Sequence, residues 1–159
     1  MRCRCRVLRD GQESRSRRGN IDGSIIDDDF QSAVVTFDGQ PAAQDWFAVS
    51  LDQPETVARV IFAHGKNFHD GGWFDTDTGK PSVQAKLSKE GPWETVGELS
   101  SYPATTASDP AGLQDGQPFS CSLKAPIKAW ALRVIGKPAC GDNPHQAFCS
   151  CAELQAFAP

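Results

Sequence analysis

Apolar and polar residues alternate along much of the chain in short runs with a period of two. In Ser82-Val83-Gln84-Ala85-Lys86-Leu87-Ser88, Val83, Ala85 and Leu87 fall on one face, Gln84 and Lys86 on the other. That is the pattern of a half-buried strand. Trp46–Leu51 sets Phe47, Val49 and Leu51 on one face, and Val57–His64 does the same with Ala58, Val60 and Phe62. Ala129–Ile135 aligns Trp130, Leu132 and Val134, and Cys151–Phe157 aligns Ala152, Leu154 and Ala156. Weaker runs are Ala33–Phe37, Trp93–Leu99 and Pro118–Leu123. Gly, Pro, Asp and Asn separate the runs, and helix signals are scarce. About eight strands in about 125 residues predict an all-β fold, an antiparallel sandwich or jelly roll.

Three interruptions are long: Gly65–Pro81, Ser100–Gln117 and Gly136–Phe148. Loops of that length inside a compact sandwich point to binding. Composition then adds limits. The 159 residues suit one domain. No run of about 18 apolar residues occurs, so no membrane-spanning helix is expected. The net charge of −4 hides a split: seven arginines against Asp10 and Glu13 leave residues 1–20 at +5, whereas 9 basic and 18 acidic residues leave 21–159 at −9. Residues 1–20 read as a basic, disordered leader with no apolar core of a secretory signal. Residues 21–159 read as the folded domain. Its acidity argues against nucleic acid as a partner, because phosphate affinity needs clustered Lys and Arg.

Catalytic signatures are absent: no G-x-S-x-G, no H-E-x-x-H, no P-loop. His64 and His69, five apart with Asp70 adjacent, leave open a small metal-dependent hydrolase. The cysteines leave two readings. A disulfide from Cys140 to Cys149 or Cys151 would pin the last loop of an exported module. Cys140, Cys149 and Cys151 with His145 would instead make a Cys3His zinc site, without the paired C-x2-C knuckles of such sites. Cys121 reads as a plain buried thiol.

The order of motifs resembles the discoidin, or coagulation factor V/VIII C-type, domains. Asp45-Trp46-Phe47-Ala48-Val49-Ser50-Leu51 followed by Val57-Ala58-Arg59-Val60 is similar to their opening strands. Ser82–Leu87 followed by Gly91-Pro92-Trp93-Glu94-Thr95-Val96 is similar to their hairpin, and Ala131-Leu132-Arg133-Val134 to a later strand. Cys151-Ala152-Glu153-Leu154-Gln155-Ala156-Phe157 resembles the closing strand. His64-Gly65-Lys66-Asn67-Phe68-His69-Asp70-Gly71-Gly72-Trp73-Phe74 looks like the bacterial variety attached to carbohydrate-active enzymes.

The resemblance implies a galactose-binding-like jelly roll that binds glycans without catalysis and holds a structural calcium ion. Asp38, before Gly39, and Glu153, on the closing strand, are the implied calcium ligands; Asp27, Asp28 and Asp29 are a weaker alternative. The family's D-G-x-x-x-T-x-W becomes Asp38-Gly39-Gln40-Pro41-Ala42-Ala43-Gln44-Asp45-Trp46, without the threonine that would be a ligand. The family's first cystine is not evident either.

Sugar recognition needs an aromatic face and planar hydrogen-bonding side chains. The candidates are His64, Lys66, Asn67, His69, Asp70, Trp73 and Phe74, with Phe68 in the same loop and His145 beside Asn143 on the last. Gly71-Gly72 permits positive φ and would turn the next aromatic outward, although Trp73 and Phe74 could equally plug the core. The expected role is a monomeric module that targets an attached catalytic domain to a polysaccharide, raising its local concentration. The parent protein would be bacterial and extracellular or periplasmic. A sugar-blind adhesion or protein-interaction module is the alternative.

Overall fold

The computed structural model describes residues 7–15 and 23–159, with the backbone alone for residues 7–13. Among these residues there are eight strands and no helix: β1 (Val7–Ser14), β2 (Val34–Val35), β3 (Asp45–His64), β4 (Phe74–Asp75), β5 (Ser82–Lys86), β6 (Trp93–Glu98), β7 (Pro118–Pro138) and β8 (Ser150–Phe157). Every pairing between them is antiparallel. The hydrogen-bonded order is β2-β8-β3-β7-β5-β6, with β1 on β3 and β4 on β7.

Four of the sequence runs merge into two long strands. Trp46–Leu51 and Val57–His64 both lie in β3, and Pro118–Leu123 and Ala129–Ile135 both lie in β7. The turn signals between them form bulges. Pairing steps from Ser50↔Ala131 to Glu55↔Ala129, so 51–54 face a single residue of β7. It steps again from Val57↔Ile127 to Arg59↔Ser122, where β7 carries the extra residues. Pro54 and Pro126 sit in these bulges, where a missing N–H costs no ladder bond.

The bulges fold each strand over. Phe47 and Phe62 are both in β3, and a straight strand would hold them about 50 Å apart. Their ring centroids are 6.2 Å apart. The front of β3 pairs with β1 and the back of β7, which continues to β5 and β6. The back of β3 pairs with β8, which continues to β2. These are the two layers of a sandwich.

A line of aromatic rings fills the space between the layers: Phe47 to Phe62, Phe62 to Phe74 at 5.6 Å, Phe74 to Tyr102 at 6.0 Å, Tyr102 to Phe119 at 5.0 Å. Phe47, Val49 and Leu51 are buried as the alternation predicts, as are Val60, Phe62, Leu132, Val134, Val83 and Ala85. Three expectations differ. Leu87 is 44% exposed, because β5 ends at Lys86. Val57 replaces Ala58 in the core, because the bulge there shifts the facing residue. Trp130 is only half-buried. In β8 both faces are covered, so Cys151, Glu153 and Gln155 are buried along with Ala152, Leu154 and Ala156.

Val7–Ser14, within the segment that charge sets apart, runs along the front of β3 with Ser14 opposite Phe47. Backbone pairing at a sheet edge needs no hydrophobic alternation, so the pattern of 1–20 carried no sign of it.

Phe62 has no exposed surface and touches the rings on both sides of it. Phe62→Ala is expected to lower unfolding free energy by about 4 kcal/mol, while Leu87→Ala stays within about 0.5 kcal/mol of wild type. Urea denaturation of both variants checks this; equal losses would contradict the assigned core.

Candidate functional site

The long loops meet at one end of the sandwich, and main-chain bonds lock them together. Ser150 staples the first loop at its base: its Oγ accepts from Lys66 N–H (2.8 Å) and donates to Gly72 O (2.7 Å). The loop then closes in a tight turn, Phe68 N–H donating to Gly71 O at 2.8 Å. Gly72 takes φ 114°, and a Cβ there would run into Lys66 O. The turn leaves His69 at its tip with 79% of its side chain exposed.

The loop at residues 139–149 grips this tip. Asp142 N–H donates to His69 O (2.9 Å), and the Asp142 carboxylate lies 2.9 Å from His69 Nδ1. Buried Gln146 donates through Nε2 to Asp70 O at 2.5 Å. Gly141 passes so close that a Cβ would lie 2.6 Å from Asp70 Cα. The middle loop binds both neighbours: Ala107 O accepts from Cys140 and Gly141 N–H at 3.1 and 2.8 Å, and Trp73 Nε1 donates to Thr106 O at 2.8 Å.

This geometry sorts the candidate residues. His69, Asn67 and His145 are exposed, and Lys66, Phe68 and Asp70 are partly so. These residues share the rim with Asp142 and Asn143. Trp73 is 2% exposed and Phe74 fully buried. Both plug the core, so neither offers a face to a sugar; Gly71-Gly72 turns Trp73 inward, where Phe74 joins the aromatic line. Of the candidate aromatics in this loop, Phe68 is the accessible one, half-buried with its ring 5.8 Å from that of Phe148.

His64 is also buried, so it cannot touch a ligand at the rim. Its Nε2 lies 2.7 Å from Asn67 Oδ1. Asn67 spends its Nδ2 on Leu113 O (2.9 Å), so Oδ1 accepts and His64 is the neutral Nε2–H tautomer. His64 and His69 therefore face different surroundings, and the metal-dependent hydrolase built on them with Asp70 has no common coordination sphere. Among the described residues no three His, Cys, Asp or Glu side chains converge as a metal site. That also removes the Cys3His zinc reading.

The expected disulfide is absent as well. Cys121, Cys140, Cys149 and Cys151 are free thiols. Cys149 and Cys151 are fully buried and serve as small hydrophobic residues of the core cluster, whereas Cys140 is half-buried.

Calcium shared between Asp38 and Glu153 does not fit the side chains present. Asp38 Oδ2 is 2.7 Å from Arg15 Nη1, whereas buried Glu153 accepts the Asp28 N–H at 3.1 Å. Asp27 and Asp29 are exposed and cap local turns.

Electrostatics differ sharply between the exposed and buried groups. Asp142 raises the pKa of His69 through its hydrogen bond and its charge, and Asp70 adds to this. Burial pushes His64 down to about 4, against the hydrogen bond to Asn67 and the charge of Asp115.

A second feature lies on the outer face of the front layer, where sequence reasoning singled out nothing. A cleft of about 360 Å³ is lined by Ala48, Ser50, Ala131, Lys86, Trp93 and Trp130, among others. Its tryptophans already carry cations: Lys86 and Arg133 lie 5.2 and 4.5 Å from the Trp93 centroid, and Lys89 lies 5.8 Å from that of Trp130. The rim residues Asp142, Gln146 and Thr106 were also missed. The turn signal Gly141-Asp142-Asn143-Pro144 was the only trace of the first.

No protein-family model and no curated protein sequence matches the chain. Solved structures do match. The family 32 carbohydrate-binding module of NanJ from Clostridium perfringens, in complex with galactose, is 17% identical over 92% of this chain and 91% of that one, with a TM-score of 0.63. Family 32 module 3 of a family 31 glycoside hydrolase from C. perfringens is 17% identical over 97% and 90%, at 0.65. Chitosan-binding module 1 of a chitosanase/glucanase from Paenibacillus sp. IK-5 is 16% identical over 99% and 98%, at 0.61. The likeness is one of fold: the chain has the antiparallel β-sandwich jelly roll of these modules, the fold that its strand pattern predicted.

His64 supplies a pH test. The native state keeps it neutral down to about 4, whereas the unfolded chain protonates it near the ordinary value of 6.5. Between those values the unfolded state binds more protons, so this contribution is complete above 6.5 and is lost as pH falls toward 4. The difference in stability between wild type and His64→Gln is expected to shrink by about 3 kcal/mol from pH 7 to pH 4. Denaturant titrations of both proteins measure it; a constant difference would contradict the buried neutral imidazole.

Proposed function

We propose that this chain is a noncatalytic carbohydrate-binding module and that the locked rim receives the glycan. One observation carries the reading. Three loops are tied by their own main chains into a rigid platform that exposes the His69–Asp142 pair beside Phe68, Asn67, Asn143 and His145. A hydroxyl-rich ligand suits such a surface: the carboxylate and amide oxygens accept, the amide and imidazole N–H groups donate, and a partly open ring meets sugar C–H groups. Pre-organisation limits the ordering cost of binding.

The fold supports the reading, because the neighbours named above are modules reported with galactose, from a glycoside hydrolase, or binding chitosan. By the same analogy the module serves a catalytic domain by holding it at a polysaccharide. A sugar-blind adhesion surface would show exposed aromatics without polar neighbours. The tryptophans of the outer cleft are attended by Lys86, Lys89 and Arg133 instead.

Calorimetry with galactose and with chitosan oligosaccharides at millimolar concentration tests the proposal. Wild type is expected to bind weakly. His69→Ala and Asp142→Ala should each weaken binding by about 10-fold, the loss of a well-placed polar contact. Trp93→Ala, on the outer cleft, should bind as wild type does. No binding by wild type to any sugar tested at that concentration would end the reading.

A further inference from the structure

Arg15 follows β1, within the basic segment, and its side chain is 12% exposed. The guanidinium enters the body. Nη1 donates to Asp38 Oδ2 at 2.7 Å, Nη2 donates to Thr36 O at 3.1 Å and to Ala147 O at 2.9 Å, and Nε lies 3.3 Å from Asp45 Oδ1. Two carboxylates and two peptide carbonyls converging on one positive group form the oxygen set that a hard divalent cation takes. A guanidinium meets the same set with a fixed planar fork of donors. The oxygens come from distant stretches: 36 and 38 ahead of β3, 45 at its first residue, and 147 in the rim loop that grips His69.

We propose that Arg15 is a tethered cation that stands in for a structural metal ion. The Arg15 charge offsets Asp38 and buried Asp45, and its fork fastens the loop at 139–149 to the entry of β3. The domain then depends on its N-terminal segment where a metal-bound relative would depend on an ion. Two features of the sequence agree with this. The threonine expected as a calcium ligand is missing ahead of Trp46, and Asp45, immediately before that tryptophan, supplies a carboxylate to the guanidinium instead.

Thermal unfolding of the full chain, with EDTA and with millimolar calcium chloride, tests this. The wild-type midpoint is expected to stay fixed in both. Arg15→Gln, nearly the same shape without the charge, should lower the midpoint by about 10 °C, as expected for a buried ion pair broken on one side. Calcium should recover part of that loss by entering the vacated pocket. A wild-type midpoint that falls on chelation or rises with calcium overturns the proposal. So does an Arg15→Gln protein as stable as wild type, or one that is destabilised yet indifferent to calcium. Should that variant fail to fold, the wild-type arm decides alone: a midpoint unmoved by EDTA and by calcium supports the proposal.

Discussion

The burial of one carboxylate organises this molecule. Asp45 has no exposed surface, and burial raises its pKa to about 6 in spite of the Thr36 hydroxyl and the Arg15 guanidinium. A charge in that position must be shared among partners or it destabilises the fold. The partners are the Thr36 hydroxyl, the N–H groups of Trp46 and Cys149, at 2.9 and 3.0 Å, and Arg15. Thr36 in turn accepts the Cys149 N–H on its hydroxyl at 3.0 Å and donates its own main-chain N–H to Cys149 O at 3.1 Å. Four parts of the chain therefore meet at Asp45, and the stretch at Cys149 continues directly into the rim on one side and into β8 on the other.

From that junction the rim and the core form one continuous structure. Trp73 ends the first rim loop with its indole N–H on the middle loop, and Phe74 follows at once in the aromatic line. Tyr102 packs between Phe74 and Phe119 and accepts the Phe74 N–H at 2.9 Å. The exposed His69–Asp142 pair is thus mounted on loops whose other ends are core residues. This permits long loops to hold a fixed shape, the condition for weak but selective contacts to a polar ligand.

The parts of this arrangement visible in the sequence were those with local cause. Phe47, Val49 and Leu51 announce a buried face because strand geometry puts alternate residues together. The three loops were visible as breaks in that alternation. The bends were not, because Pro54 and Pro126 mark a wide bulge and a turn equally well. The direction of Trp73 was not, because Gly71-Gly72 allows either. His64 looked like a ligand-facing residue, yet its position continues the buried run of β3 past Phe62 and Ala63. Arg15 was least legible of all. Among seven arginines in a polar stretch it has no local mark, and its partners lie 21 to 132 residues away.

The central claim is that the ligand meets the locked rim, and residue-resolved spectra locate it most directly. Amide and imidazole resonances of the full chain would be followed while galactose is added. The account requires shifts concentrated at His69, Asp70, Asp142, Asn143 and His145, with the Trp93 and Trp130 indole N–H signals unmoved. Shifts confined to those two tryptophans, or no shifts at all, would contradict it.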